Sequence, residues 1–257
     1  HKYVKIFGEK METEPTHLES MWLRLKAIDI LKQMKRTTTY EELSKRTNLP
    51  ITVLNRYVKG HVLPSHKRAK QLIQALSTEL DLRKEIIQRI TFNADGYFDT
   101  FRILSDLLLM RRCAELAKIS FEGIKIDKVL TAATDGIPIA ALIANELGVD
   151  LVYSKNRKEI GVEEFLEETY SPGSSGVLMS LYLPAWAIKK GENVLIVDDI
   201  IRTGETQRAL INFVHKAKAT VAGIFVLVAV GDVGLKTVKQ AVNCPLKVIG
   251  ELLAPQA

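Results

Sequence analysis

The sequence predicts an all-helical head followed by an α/β body whose parallel sheet is covered on both faces. Three observations predict it. From residue 126 onward, short apolar runs of strand length alternate with helical stretches, the pattern of successive βαβ units. Residues 22–76 read instead as a series of short capped helices. Charge divides at the same place: residues 1–90 hold 18 Lys and Arg against 10 Asp and Glu, a net +8, while residues 91–257 hold 18 against 20, a net −2. A chain of 257 residues, 47% hydrophobic and 26% charged, is ordinary for a folded protein and excludes disorder and low complexity.

In the head, Trp22, Leu25, Ile28, Leu31 and Met34 recur with a spacing of three and predict an amphipathic helix over 22–35. Thr39 with Glu42 forms a capping-box pattern for a second helix to about Arg46. Asn48 and Pro50 break the chain, and Pro50 suits the first turn of a third helix, Ile51–Lys59, closed by Gly60. Ser65 is the expected cap of a fourth, Lys67–Leu76. Two short helices joined by a tight turn make a helix-turn-helix. With Leu54, Tyr57 and Val58 facing inward, Thr52, Asn55, Arg56 and Lys59 face out. Those side chains suit a DNA major groove: Asn for adenine, Arg for guanine, Thr and Lys for phosphate. Lys45, Arg46, Lys67 and Arg68 stand at neighbouring helix ends and are expected to hold the DNA backbone. A plain helical bundle or a protein-docking module remains the alternative.

The stretch Thr39–Pro64, TYEELSKRTNLPITVLNRYVKGHVLP, resembles the helix-turn-helix of phage-repressor-type regulators. Asn48 stands where that family has glycine, and Asn tolerates the left-handed turn. The Asn, Asp and Gly of Thr91–Tyr97 mark a boundary, giving an expected head of 1–92 (core 22–76) and a body of 93–257.

In the body, Phe98–Lys118 predicts one long helix. Strands are predicted at Ile126–Ala133, Val149–Tyr153, Val177–Tyr182, Asn193–Val197, Thr220–Val230 and Leu246–Ile249, with helices at Pro138–Leu147 and Thr206–Lys216. The informative segment is Val194–Thr206, VLIVDDIIRTGET. A buried strand brings Asp198 and Asp199 toward its carboxyl end, where open α/β sheets bind ligands. The turn Arg202, Thr203, Gly204, Glu205, Thr206 then opens a helix, and its N–H groups and hydroxyls make a phosphate cradle. Carboxylates beside a phosphate site fit ribose hydroxyls, bound directly or through Mg²⁺. The implied ligand is a ribose 5-phosphate.

This segment resembles the phosphoribosyl diphosphate (PRPP) motif of the phosphoribosyltransferase family: four apolar residues, two acids, and T-G-x-T. Ala133, Thr134, Asp135 and Gly136, between a strand and a helix, are similar to that family's pyrophosphate loop. The resemblance implies a type I phosphoribosyltransferase-like parallel sheet with flanking helices, with Mg²⁺ carried by PRPP near Asp198 and Asp199. Lys155, Arg157 and Lys158 fall where active members have a mobile basic loop over the diphosphate; a solvated surface loop is the alternative.

Two departures bear on catalysis. Arg202 occupies the position of the general base in members acting on 6-oxopurines, and a guanidinium cannot accept a proton. After Lys158 the chain reads Glu159-Ile160-Gly161-Val162, without the histidine of orotate-specific enzymes. Tyr170-Ser171-Pro172-Gly173-Ser174-Ser175 and Met179-Ser180-Leu181 resemble the purine operon repressor family, and the two-part arrangement is similar to archaeal orotate-phosphoribosyltransferase-like regulators. What this implies is a non-catalytic sensor of PRPP or a related nucleotide that controls nucleotide metabolism genes, binding a double-stranded operator as a homodimer. The alternative is an active purine or orotate phosphoribosyltransferase carrying a DNA-binding head.

No run reaches the roughly 18 residues of a membrane span. Cys113 and Cys244 stand far apart, in no metal-ligand spacing, and the first ten residues lack the apolar core of a signal peptide. A cytoplasmic, unsecreted protein is expected.

Overall fold

Residues 15–76, 79–93, 98–171 and 178–253 are described by the structure, a computed structural model. The chain divides into two compact units, residues 1–78 and 79–257.

In the first unit, α1 (His17–Thr37) starts at Thr16 with a reciprocal capping box to Glu19. Its core face is Ala27, Ile30, Leu31 and Met34, with Leu23 packed alongside. Trp22 and Leu25 of the expected stripe instead face solvent, 66% and 41% exposed. At about 100° per residue a strict spacing of three drifts about 60° per step, so five such positions cannot share one face. α2 (Tyr40–Thr47) is capped by Thr39, whose hydroxyl accepts from the Glu42 N–H at 3.2 Å. Asn48 ends it in the left-handed region, φ 52°, as the turn requires. The Ser44 hydroxyl donates to the Leu49 carbonyl at 2.6 Å and locks the turn. α3 (Ile51–Val58) starts at the expected residue with Pro50 as its N-cap, ends one residue before the expected Lys59, and buries Leu54 and Tyr57. α4 (His66–Leu76) follows Ser65, whose hydroxyl accepts from the Arg68 N–H. Leu31, Leu43, Leu54, Leu72 and Leu76 form the fully buried centre of this unit.

The second unit opens with α5 (Glu79–Gln88). Leu82 and Ile86 of α5 are buried in the body's own core, which places the division at 78/79 and not at 92/93. The long helix expected over Phe98–Lys118 is two: α6 (Phe101–Leu104) and α7 (Leu107–Ser120). Asp106 separates them, its carboxylate accepting from the Leu108 and Leu109 N–H groups at 3.2 Å. An N-cap of this strength starts a new helix where periodicity alone reads one continuous stretch.

Thereafter come β1 (Lys128–Ala132), α8 (Ile137–Leu147), β2 (Asp150–Ser154), β3 (Phe165–Tyr170), β4 (Met179–Pro184), β5 (Asn193–Ile201), α9 (Glu205–Lys216), β6 (Thr220–Val230), α10 (Val233–Ala241) and β7 (Leu246–Leu252). β3 and α10 have no counterpart among the elements expected from sequence. The strand expected at 177–182 lies at 179–184, and its first expected residue, Val177, falls outside the described residues. Five strands form one parallel sheet in the order β2-β1-β5-β6-β7, and β3 and β4 form a separate antiparallel ribbon. One face, with Val197, Phe225 and Leu227, packs against α7 and α8. The other, with Leu130, Ile196 and Val226, packs against α9. From β1 the chain winds outward to β2, and from β5 it winds the other way through β6 to β7. The order therefore reverses between β1 and β5, and a crevice is expected at their carboxyl ends.

Candidate functional site

That reversal brings together the segments singled out by sequence. β5 runs on through the acid pair to Ile201, still paired with β6 at Ile200 and Ile201. Neighbouring strand positions project to opposite faces. Asp198 accordingly meets α9, where the Gln207 amide donates to its carboxylate at 2.6 Å. Asp199 meets the Thr100 hydroxyl on the other side. Both acids are 5% exposed. Burial pushes the Asp198 carboxyl well above the ordinary carboxylate range, and the Asp199 charge adds to it. Burial raises Asp199 too, with Asp135 contributing, against the hydrogen bonds from Asp198 and Thr100.

The turn joining β1 to α8 comes down onto the pair. Thr134 and Asp135 are exposed and Gly136 is buried, and the Ala133–Thr134 peptide is cis. The Ala133 N–H donates to the Ser154 carbonyl of β2 at 2.9 Å. A Cβ at Gly136 would lie 2.1 Å from Thr131 Oγ1 and 3.0 Å from Asp198 Oδ1. Only a glycine allows the turn this close to the acids. Gly136→Ala is expected to lower stability by about 1–3 kcal/mol through this overpacking, as read by urea unfolding; an unchanged midpoint would contradict the fit.

The Arg202–Thr206 turn is braced from behind by α10. Gly204 has φ +83°, and a Cβ there would lie 2.9 Å from the Gly234 carbonyl oxygen; the Gly234 N–H donates to the Arg202 carbonyl at 3.1 Å. Glu205 starts α9, so the N–H groups of the turn stand at a helix N-terminus. Thr203 and Thr206 are half-buried there, and the Thr206 hydroxyl donates to the Tyr170 hydroxyl at 3.3 Å.

Three buried polar atoms at the strand ends have no partner among the described residues: Thr131 Oγ1, Ser154 Oγ and Asp199 Oδ2. Buried polar groups are almost always satisfied, so these atoms on β1, β2 and β5 call for an ordered water, an ion or a ligand at the carboxyl ends of the strands. These atoms offer two hydroxyls and one carboxylate oxygen to a polar, hydroxyl-bearing ligand. Thr100, Thr131, Ser154 and Gln207 join the site only in the folded chain, and Tyr170, which the sequence offers only as the start of the repressor-like stretch, meets Thr206 there. Gln207 is visible there only as a polar residue on the otherwise apolar face Leu210, Ile211, Val214.

The basic loop is held by acids and aromatic rings. Lys155 pairs with Glu159 at 2.9 Å and lies 5.4 Å from the Tyr153 ring centre. Lys158 pairs with Glu167 at 3.5 Å and lies 5.1 Å from that of Tyr182. Arg157 and Lys155 line a cavity of about 170 Å³ walled by Tyr153, Phe165, Tyr182 and Trp186. The Pro172–Ser175 part of the repressor-like stretch lies outside the described residues.

In the first unit, Thr52 and Arg56 of α3 and Lys59, its C-cap, are exposed, while Asn55, expected to face outward with them, is half-buried. Lys45 of α2 and Lys67 of α4 are exposed and Arg68 is half-buried. Arg46 is placed otherwise: its guanidinium donates to the Ala75 carbonyl at 3.0 Å and ties α2 to the end of α4.

A parallel sheet with its acid pair and T-G-x-T turn at the β1/β5 reversal defines a phosphoribosyltransferase-type body. A family model, phosphoribosyl transferase domain, matches residues 99–253, and the chain belongs to that family. It is similar to the purine biosynthesis transcriptional repressor PurR of Bacillus subtilis, 29% identical over 78% of this chain and 67% of that protein. It is also similar to a Streptococcus pneumoniae protein named as a probable purine biosynthesis transcriptional regulator, PurR, at 30% over 63% of this chain. The chain spans 57% of the length of that relative. Among solved structures, adenine phosphoribosyltransferase from Thermoanaerobacter pseudethanolicus superposes with a TM-score of 0.59 at 24% identity, over 66% of this chain and 99% of the other. That likeness is one of fold. Among the described residues no helix is long and apolar enough to cross a membrane.

Proposed function

We propose that this chain is a cytoplasmic DNA-binding transcriptional regulator whose body senses PRPP without transferring it. The observation that carries the reading is the buried acid pair Asp198 and Asp199 at the end of β5, with the Gly136 turn pressed against Asp198 and Thr131 and the Arg202–Thr206 turn following in the chain; Thr131 Oγ1, Ser154 Oγ and Asp199 Oδ2 are left without a protein partner. Asp199, and Asp198 once released by Gln207, would take the ribose hydroxyls, directly or through Mg²⁺. Thr203–Thr206 would take the 5-phosphate and Ala133–Gly136 the diphosphate, with Lys155, Arg157 and Lys158 as its basic cover. Arg202 stands where a proton acceptor would be needed for oxopurine transfer, which favours sensing over turnover. The B. subtilis and S. pneumoniae relatives are named as regulators, which supports the same reading.

The head would present Asn55 and Arg56 to base edges and Thr52, Lys59, Lys45, Lys67 and Arg68 to phosphates, two copies reading an operator with two-fold symmetry. PRPP with Mg²⁺ is expected to weaken operator binding, within the roughly 5- to 150-fold range of allosteric couplings. A gel-shift titration with and without PRPP reads this directly. Unchanged DNA affinity would reject the coupling. Membership of a transferase family favours one rival, an active enzyme with a DNA-binding head. Pyrophosphate released on mixing the protein with PRPP, Mg²⁺ and a purine or orotate would establish that rival instead.

A further inference from the structure

Tyr170 is the last residue of β3, and its hydroxyl lies 3.3 Å from that of Thr206, at the mouth of the turn that opens α9. The rest of β3 is fastened along the same helix. Glu168 accepts from the Asn212 amide at 2.8 Å and pairs with Lys216, which also reaches the Glu167 carbonyl. The Tyr170 ring packs against the apolar core on the α9 side of the sheet, so its hydroxyl is held in place by the ring.

The proton count at this pair is informative. Thr206 has one hydroxyl proton and gives it to the Tyr170 oxygen. Tyr170 retains its own proton, on an oxygen at the edge of the cradle. A phosphate oxygen seated against Thr206 Oγ1 would come within hydrogen-bonding reach of that phenol. An O–H to a phosphate oxygen is a charge-assisted bond, stronger than the hydroxyl–hydroxyl contact it would replace.

We infer that Tyr170 is a ligand of the sugar's phosphate, donating to the oxygen held by Thr206, and that the β3–β4 ribbon thereby registers whether the cradle is filled. The inference rests on the PRPP reading of the site given above. It adds a phosphate donor from outside the T-G-x-T turn and names the element that feels the ligand.

Tyr170→Phe keeps the ring packing and removes only the hydroxyl. Calorimetric titration of the full chain with PRPP and Mg²⁺, and separately with inorganic pyrophosphate, tests the assignment. PRPP affinity is expected to fall about tenfold or more, the worth of a hydrogen bond to a charged group, while pyrophosphate affinity stays at the wild-type level. Hydrogen-exchange protection that PRPP confers on the β3 and β4 amides of the wild type is expected to disappear in the variant. Unchanged PRPP affinity overturns the inference. So does an equal loss for both ligands, which would make Tyr170 a support of the fold. Wild-type protein that binds pyrophosphate but gains nothing from the sugar phosphate overturns the PRPP reading itself, and this inference with it.

Discussion

Replacing Asp198 and Asp199 together by asparagine is expected to abolish PRPP binding and to stabilise the chain at neutral pH. In the complex with PRPP and Mg²⁺ the pair would be held as carboxylates, so two hydrogen bonds to charged acceptors are lost, each worth about 1.5–3 kcal/mol, and affinity falls a hundredfold or more. The stability change has the opposite sign. Both carboxyls have folded-state pKa values raised above 3.8 by burial and by each other or Asp135. In the window above 3.8 the folded chain keeps protons that the unfolded chain has lost. The stability from this pair is therefore complete below that value and is lost as pH rises through the raised values. The loss amounts to about 1.4 kcal/mol for every tenfold difference in acidity between the folded and unfolded chains. Asparagine carries no charge to desolvate, so the variant loses this slope and at pH 7 stands above the wild type. Urea unfolding from mildly acidic to neutral pH checks the slope, and titration with PRPP checks the binding. A variant that binds PRPP as the wild type does would place the ribose elsewhere.

Arg56→Ala is expected to cost about 1–3 kcal/mol of operator binding and to relax specificity at one base pair, with the fold unchanged. Arg56 is exposed on α3, while its neighbours Leu54 and Tyr57 make the core contacts. Affinity measured on the operator and on sequences altered at single positions separates base reading from phosphate binding. An equal loss on every sequence, with the salt slope reduced by about one, would make Arg56 a phosphate contact. Arg46 behaves differently: because it bonds the Ala75 carbonyl, its removal acts first on the packing of α2 against α4.

What can be read from sequence is local chemistry. The left-handed caps at Asn48 and Gly60 and the N-caps at Thr39 and Ser65 depend on neighbours within a few residues. VLIVDDIIRTGET is legible for the same reason, since a buried strand, an acid pair and a phosphate-type turn follow one another without interruption. β3 is not legible. Its residues, FLEETY, include adjacent glutamates that spoil the alternation, and it is stabilised by β4 and by Asn212 and Lys216 of a distant helix. The stripe on α1 misleads because a spacing of three drifts round a helix of about 3.6 residues per turn.

In the site, Asp198, Asp199 and the turn stand out in the sequence and Tyr170 is named there only within the repressor-like stretch, but Thr131 and Ser154 do not stand out. Their importance rests on which strands become neighbours. Thr131 and Ser154 are unremarkable in the sequence until β1 and β2 end beside β5 and leave their hydroxyls buried without partners. Gly136 reads as a tight-turn residue; the structure shows it is needed because the backbone there nearly touches Thr131 and Asp198.

The most direct measurement is calorimetric titration of PRPP and Mg²⁺ into the wild type and the double asparagine variant, at one salt concentration. One saturable site per chain in the wild type, missing from an equally folded variant, is the expected result. Heat absent from both, or identical in both, would contradict a sugar-phosphate site at the meeting of β1 and β5.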